Sequence, residues 1–394
     1  MNKKQSSAKL VLQDGSEFEG YSFGYGTSVS GEVVFTTAMS GYPQALSDPS
    51  FCSQILVCTY PLIGNYGIPL DPKTKKPFYD EDGIPLHFES DKIHAAGLIV
   101  GENCEQPSHY ASTHTLSEWL SLNGVPAISG IDTRCLTKKL RETGVMRGKI
   151  VVAGCGDVDL EGDDKSDIRN PVAKVSPENV IVYKSKNAKP KSALKIVLVD
   201  CGAKANILRC LISRGVEVIR VPWDYDLSSL EYDGLFLSNG PGDPKACGKT
   251  IASLRRVMRE NDSAFKNQGK GDGKVRSKPI FGICLGVQMM ALAAGGDTYK
   301  LPYGHRAANQ PCIDLESGRC YITSQNHGYA VRSQSLPRDW EPWFVNANDG
   351  TCEGIKSKTH PFSAVQFHPE GCPGPRDTEF LIDRFLDQVR ESCR

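Results

Sequence analysis

Ile280-Phe281-Gly282-Ile283-Cys284-Leu285-Gly286-Val287-Gln288-Met289-Met290-Ala291-Leu292 decides the fold. An apolar run of strand length ends at a Gly-x-Cys-x-Gly sequence and passes at once into a helical one. That is a nucleophile elbow with cysteine at its tip. Its glycines leave room for a tight strand-to-helix turn where β-carbons would collide. The turn projects the thiol from the carboxyl end of a sheet, where open α/β folds bind ligands. It also sets the sulfur at a helix N-terminus, whose macrodipole favours thiolate over thiol. Taken without its surroundings, one cysteine among 14 reads as a small buried hydrophobe. The elbow and its strand–helix setting reverse that reading.

Outward from the elbow, residues 195–394 alternate apolar strands with helices. Strands are expected at Ile196–Val199, Val216–Val221, Gly234–Leu237 and Ile280–Ile283. Helices are expected at Ala203–Arg214, Ile251–Arg259 and Leu285–Ala294. Continuous apolar strands separated by helices imply an α/β, doubly wound, mainly parallel sheet covered on both faces. Residues 1–154 read as a mixed α/β domain. It opens with a hairpin whose turn is Asp14-Gly15, and has helices over Leu116–Leu122, capped by Ser112 or Thr115, and over Thr133–Glu142. Residues 155–194 are polar and charged and read as a linker region, and Asp262–Ser277 reads as a surface insertion.

Two further segments complete the chemistry. In Phe367-His368-Pro369-Glu370 the proline keeps His368 extended, so His368 and Glu370 point the same way. A carboxylate beside an imidazole supplies the base and orienter of a Cys–His–Glu triad. In Ser238-Asn239-Gly240-Pro241-Gly242-Asp243-Pro244, directly after a strand, two glycines let the backbone approach a substrate. The N–H groups of Gly240 and Leu285 are the natural oxyanion donors, each worth about 2.7–4 kcal/mol in such sites. Ser324-Gln325-Asn326-His327-Gly328-Tyr329 by itself reads as a polar turn between strands, with His327 structural.

These four motifs together resemble the triad-type (class I) glutamine amidotransferases. The first half resembles the amino-terminal domain of carbamoyl phosphate synthetase small (glutaminase) subunits, or the equivalent region of fused pyrimidine-pathway enzymes. The residues that carry this are Gly31-Glu32-Val33-Val34-Phe35, Gly41-Tyr42-Pro43, Ser47-Asp48-Pro49-Ser50, Thr59-Tyr60-Pro61-Leu62-Ile63-Gly64-Asn65-Tyr66-Gly67 and Ile131-Asp132-Thr133-Arg134. The resemblance implies catalysis by Cys284, His368 and Glu370. It implies glutamine binding by Ser50, Gly240, Gly242, Leu285, Gln288, Asn326, Gly328 and Tyr329, with Ser50 reaching in from the first domain. It implies ammonia delivery to a large synthetase unit, which would hold the ATP and Mg and make carbamoyl phosphate from bicarbonate. No cofactor is expected in this chain. Two positions depart from the family pattern: Val287, often His, and Ala307 in the loop Tyr303–Pro311, commonly Gly.

The remaining features restrict the alternatives. The 46 basic and 46 acidic residues cancel, so no basic excess advertises nucleic acid. No apolar run approaches the ~20 residues a membrane helix needs. The N-terminus lacks a secretory apolar core, and the cysteines form no Cys-x-x-Cys pair, so a reduced, cytoplasmic setting is expected. No metal-ligand spacing is evident. A Walker-type phosphate loop is missing from the sequence, which sends ATP chemistry elsewhere. A stand-alone γ-glutamyl hydrolase or cysteine peptidase of the same fold lacks a reason for the first domain. A catalytically silent regulatory subunit would have lost a triad residue.

Overall fold

A computed structural model describes residues 6–160, 170–184, 193–266 and 277–394. The chain divides into two compact units, Met1–Pro171 and Val172–Arg394.

The first unit is built on a closed barrel. Its strands are β1 (Ser7–Leu12), β2 (Glu17–Ser22), β3 (Val29–Thr36), β4 (Gln54–Cys58), β5 (Gly97–Val100), β6 (Ala127–Ser129) and β7 (Met146–Val152), in the order β1-β2-β6-β5-β4-β3-β7. The β1–β2 hairpin turns through Gly15 at φ 84°, a left-handed conformation that glycine adopts without a Cβ penalty. β3, β4, β5 and β6 run parallel, and β7 closes the ring by pairing antiparallel with both β1 and β3. Val34, Leu56, Leu98 and Val100 face a core completed by Phe88 and Trp119. Trp119 comes from the helix Leu116–Leu122, which Thr115 caps: its hydroxyl accepts from Glu118 N while the Glu118 carboxylate accepts from Thr115 N.

The second unit carries a ten-stranded sheet, β14-β13-β15-β16-β17-β12-β11-β9-β10-β8. Its strands are β8 (Ile181–Tyr183), β9 (Lys195–Asp200), β10 (Glu217–Pro222), β11 (Gly234–Leu237), β12 (Ile280–Ile283), β13 (Thr298–Asp314), β14 (Cys320–Val331), β15 (Trp340–Asn346), β16 (Cys352–Ser357) and β17 (Phe362–Val365). The centre, β10-β9-β11-β12-β17, is parallel throughout. β8 adds an antiparallel edge, so part of the segment read as a linker is built into this sheet. The charged runs of that segment at 161–169 and 185–192 lie outside the described residues, as does 267–276 of the expected surface insertion.

Strands β13 to β16 extend the parallel centre with antiparallel ribbon. This corrects two local expectations. Tyr303–Pro311, read as a loop, lies inside β13, and Ser324–Tyr329, read as a turn, lies inside β14. Ala307 pairs with Gln325 across that ribbon and is absent from the residues with left-handed backbone, so no glycine is required there.

Helix Ala205–Ile212 starts later than its sequence pattern because Asp200 holds the preceding turn. One Asp200 carboxylate oxygen accepts from Gly202 N at 2.7 Å and Ala203 N at 2.6 Å. The other pairs with Arg220. Helix Phe380–Ser392 packs against the sheet through Phe385, whose ring lies 5.6 Å from Phe236 and 5.8 Å from Phe281. The helix approaches so closely that a β-carbon on Gly234 would lie 2.6 Å from Val389 Cγ2. Phe385 is 1% exposed and Phe380 is 41% exposed. Replacing Phe385 by alanine should therefore cost about 3–5 kcal/mol in urea unfolding, with Phe380→Ala costing less than half as much. Equal losses at both positions would show that this helix is not held through Phe385.

Candidate functional site

The parallel strands deliver their carboxyl ends to one edge, and the loops after β9, β11, β12 and β17 contribute to a single constellation. β12 ends at Ile283, and the helix Leu285–Ala294 begins with one residue between them. Cys284 alone makes the turn, at φ 55° and ψ −105°. A non-glycine residue in such a region carries about 1–3 kcal/mol of strain and persists only where its neighbours fix it. Here Cys284 N donates to Val365 O at 2.8 Å, and Cys284 O accepts from Val287 N at 3.1 Å.

The flanking glycines are required by space. A β-carbon on Gly282 would lie 2.9 Å from the Gly286 carbonyl carbon, and one on Gly286 would lie 2.7 Å from Leu237 O. Gly240, after β11, is equally confined: its β-carbon would meet Cys201 O at 2.2 Å and Leu285 Cδ2 at 2.9 Å. The same contact sets Gly240 beside the residue after the nucleophile. Gly242 turns the chain at φ 87°.

β17 leads into the His-Pro-Glu segment. His368 N donates to Ser324 O at 2.8 Å, which pins the segment against β14. His368 Nδ1 donates to Glu370 Oε1 at 2.6 Å, so the alternation expected of an extended chain brings imidazole and carboxylate together. The opposite ring nitrogen, Nε2, is buried without a hydrogen-bond partner. Cys284 Sγ donates to Asn326 O at 3.6 Å.

The electrostatics follow from burial and charge. Burial presses His368 towards its neutral form. The Glu370 charge and hydrogen bond, with the Cys284 thiol beside the ring, outweigh that and raise its pKa, while Lys204 opposes them. Burial raises Glu370, but His368 and Lys204 together hold its carboxyl below the ordinary value. Lys204 was not foreseen from the sequence. It lies 3.4 Å from Glu370 Oε1 and donates to Gly371 O at 2.7 Å. Its position comes from Asn239, whose side-chain oxygen accepts from Lys204 N at 3.0 Å.

Gln288, one turn into the helix, donates through Nε2 to Tyr329 O at 2.9 Å and to Gln366 Oε1 at 3.0 Å. Gln366, also unforeseen, keeps its own Nε2 buried without a partner. Gly328 sits on β14 against the Arg306 guanidinium, 3.2 Å from where its β-carbon would be. The second unit therefore brings Asn326 and His368 to the Cys284 thiol, with Glu370 holding His368, Gly240 against Leu285, and Tyr329 against Gln288. Ser50 belongs to the first unit, where it is buried and donates its N–H to Asp48 Oδ1 at 2.9 Å.

Two families match the chain. Glutamine amidotransferase class-I matches residues 197–388, and the carbamoyl-phosphate synthase small chain CPSase domain matches 10–150. The carbamoyl phosphate synthase arginine-specific small chain of Aspergillus oryzae is 44% identical over 393 residues, which is 98% of this chain and 80% of that one. This chain belongs to the carbamoyl phosphate synthase small-chain family. The multifunctional protein CAD of Squalus acanthias is 50% identical over 384 residues, 98% of this chain and 16% of that protein. Multifunctional protein pyr1-3 of Dictyostelium discoideum is 45% identical over 400 residues, 99% of this chain and 17% of that protein. The small-chain sequence thus spans about a sixth of the length of these multifunctional relatives.

The His368–Glu370 pair generates a pH prediction. Because the folded pKa of His368 is raised, its contribution to stability is complete below the unfolded value near 6.5. That contribution is lost as pH rises through the folded value. Glu370→Gln removes the charge that holds the proton, so the His368 ring should titrate at lower pH, read by ¹⁵N-edited NMR of the imidazole. An unchanged titration would separate Glu370 from the imidazole's chemistry.

Proposed function

We propose that this chain hydrolyses the side-chain amide of L-glutamine to glutamate and ammonia, and passes the ammonia to a synthetase unit. The observation that carries the reading is Cys284 strained at a strand–helix elbow beside an imidazole whose far nitrogen is held by Glu370 at 2.6 Å.

The Cys284 sulfur attacks the amide carbon as its proton passes to His368 Nε2. The carbonyl π electrons move to oxygen, and the oxyanion is met by the Gly240 and Leu285 N–H groups. His368 gives its Nε2 proton to the departing nitrogen, the C–N bond breaks, and ammonia leaves a γ-glutamyl thioester. His368 then takes a proton from water as the hydroxyl attacks the same carbon. The C–S bond breaks, glutamate leaves, and His368 returns the proton to the sulfur, which restores the thiol. Two covalent steps replace one difficult amide hydrolysis.

Gly242, Asn326, Gly328 and Tyr329 are the further glutamine-binding residues of this reading, and the family resemblance assigns Ser50 the same role. Gln288 has its amide donors on Tyr329 O and Gln366, so its Oε1 acceptor is what a substrate N–H would meet. The chain supplies no cofactor to this reaction. ATP and Mg belong to the synthetase partner, a large subunit or fused domains, which makes carbamoyl phosphate from bicarbonate for pyrimidine or arginine synthesis. The 14 cysteines are all free thiols, which suits a reduced cytoplasmic setting. Among the described residues no helix is long and apolar enough to cross a membrane.

The division of labour is tested with assembled complexes. Cys284→Ser should abolish carbamoyl phosphate synthesis from glutamine and leave synthesis from added ammonia near the wild-type rate. The ATP-dependent steps need no thiol from this chain. A folded, assembled mutant that loses both activities would contradict the proposal. Cleavage of peptides in place of glutamine by the wild type would favour a peptidase.

A further inference from the structure

Gln288 and Gln366 are both buried, at 2% and 0% exposure, and come from different elements. Gln288 stands one turn into the helix Leu285–Ala294, and Gln366 is the first residue after β17. A side-chain amide has a donor end and an acceptor end of nearly the same shape. The end that faces the substrate decides what the site can bind, so the surroundings must choose between them.

Tyr329 O makes half of that choice. A carbonyl can only accept, so the Gln288 atom 2.9 Å from it is the nitrogen. The carbonyl is itself held, with His327 Nδ1 2.8 Å from the same oxygen. Gln366 makes the other half. Its Oε1 accepts from Gln288 Nε2 at 3.0 Å, which takes up the second N–H. Two acceptors in different directions fix the plane of the Gln288 amide as well as its sense. The oxygen of Gln288 is then the end left for a ligand.

Gln366 does this against its own interest. Its Nε2 is buried without a hydrogen-bond partner. A buried donor left unmet is destabilising, and an apolar side chain of the same length would fill the space without one. Turning the Gln366 amide over gives no relief, because its NH2 would then face the NH2 of Gln288. The orphan donor is the consequence of holding Gln288. The backbone gives that hold a fixed register. Gln366 N donates to Glu353 O at 2.8 Å, and the preceding carbonyl, Val365 O, accepts from Cys284 N at 2.8 Å. One stretch of chain therefore sets the nucleophile, the amide that meets the far end of the substrate and, two residues on, His368.

On the glutaminase reading above, we infer that Gln366 is a positioning residue for substrate choice. It locks the Gln288 amide with Oε1 towards the substrate, and so selects a free amino acid whose α-ammonium donates to that oxygen. A hydrogen bond from a charged donor is about twice as strong as a neutral one, so the correct sense of this amide counts for much of the recognition. A Gln288 amide free to turn would set its NH2 against the ammonium, donor to donor.

The test uses the assembled complex and two amides: glutamine, and glutaramate, which lacks only the α-amino group. Gln366→Met keeps the length of the side chain and removes both polar ends. It should raise the KM for glutamine about tenfold and leave kcat within about twofold of wild type. Its kcat/KM for glutaramate should be unchanged, since that molecule has nothing to give Gln288 Oε1. Thermal unfolding should occur at or above the wild-type temperature, because the orphan donor is gone. Gln366→Glu keeps an oxygen acceptor in place and should return the glutamine KM to within about threefold of wild type. Equal loss of kcat/KM for both amides in Gln366→Met, or an unchanged KM for glutamine, overturns the inference while leaving the glutaminase reading intact. A wild-type complex that hydrolyses no glutamine overturns both.

Discussion

The backbone of Cys284 is held in a conformation that a side chain seldom tolerates, and much of the second unit exists to hold it there. A turn of one residue between β12 and its helix is possible only because the helix can press against β11. That approach needs no β-carbon at Gly286, where Leu237 O would be 2.7 Å away, and none at Gly282, where the helix's own first turn intervenes. The helix that follows is apolar nearly all round, as expected for a helix enclosed on every side. Burial of that helix supplies free energy that offsets the strain of about 1–3 kcal/mol at the turn. Sequence, packing and thiol presentation are therefore one constraint seen at three levels.

The other groups of the site follow from the same parallel strands. β11 ends in the loop that sets Gly240 against Leu285, and β17 ends at Val365, three residues before the His-Pro-Glu segment begins at His368. β9 ends at Asp200, whose carboxylate fixes the turn towards Lys204. Lys204 then reaches Glu370 from behind. A wholly buried carboxylate with one imidazole and one ammonium for company stays ionised because both partners are cations or share a proton. The free nitrogen of His368 is thereby fixed as Nε2, the atom that the thiol chemistry needs.

Much of this was legible in the sequence. Apolar strands of four to six residues with helices between them give the parallel centre directly, and Gly-x-Cys-x-Gly and His-Pro-Glu carry their geometry locally. The helix Leu285–Ala294 was expected over the residues it occupies. The antiparallel extension was not legible. Thr298–Asp314 contains two prolines, a glycine and no sustained alternation, and becomes a strand because β14 pairs with it across two register shifts. Barrel closure in the first unit rests on β1 meeting β7, strands from opposite ends of that unit. Lys204 and Gln366 share this property: each is defined by partners from distant stretches of the chain, so no local pattern announces it.

The central claim is that Cys284 forms and breaks a bond to substrate during each turnover. Acid quenching of the protein in the act of hydrolysing glutamine, followed by digestion and mass spectrometry, tests it directly. The account predicts a γ-glutamyl adduct on the Cys284 peptide alone, with the other 13 cysteines unmodified. An adduct on a different cysteine, or steady glutamine hydrolysis in a Cys284→Ser chain, would contradict it.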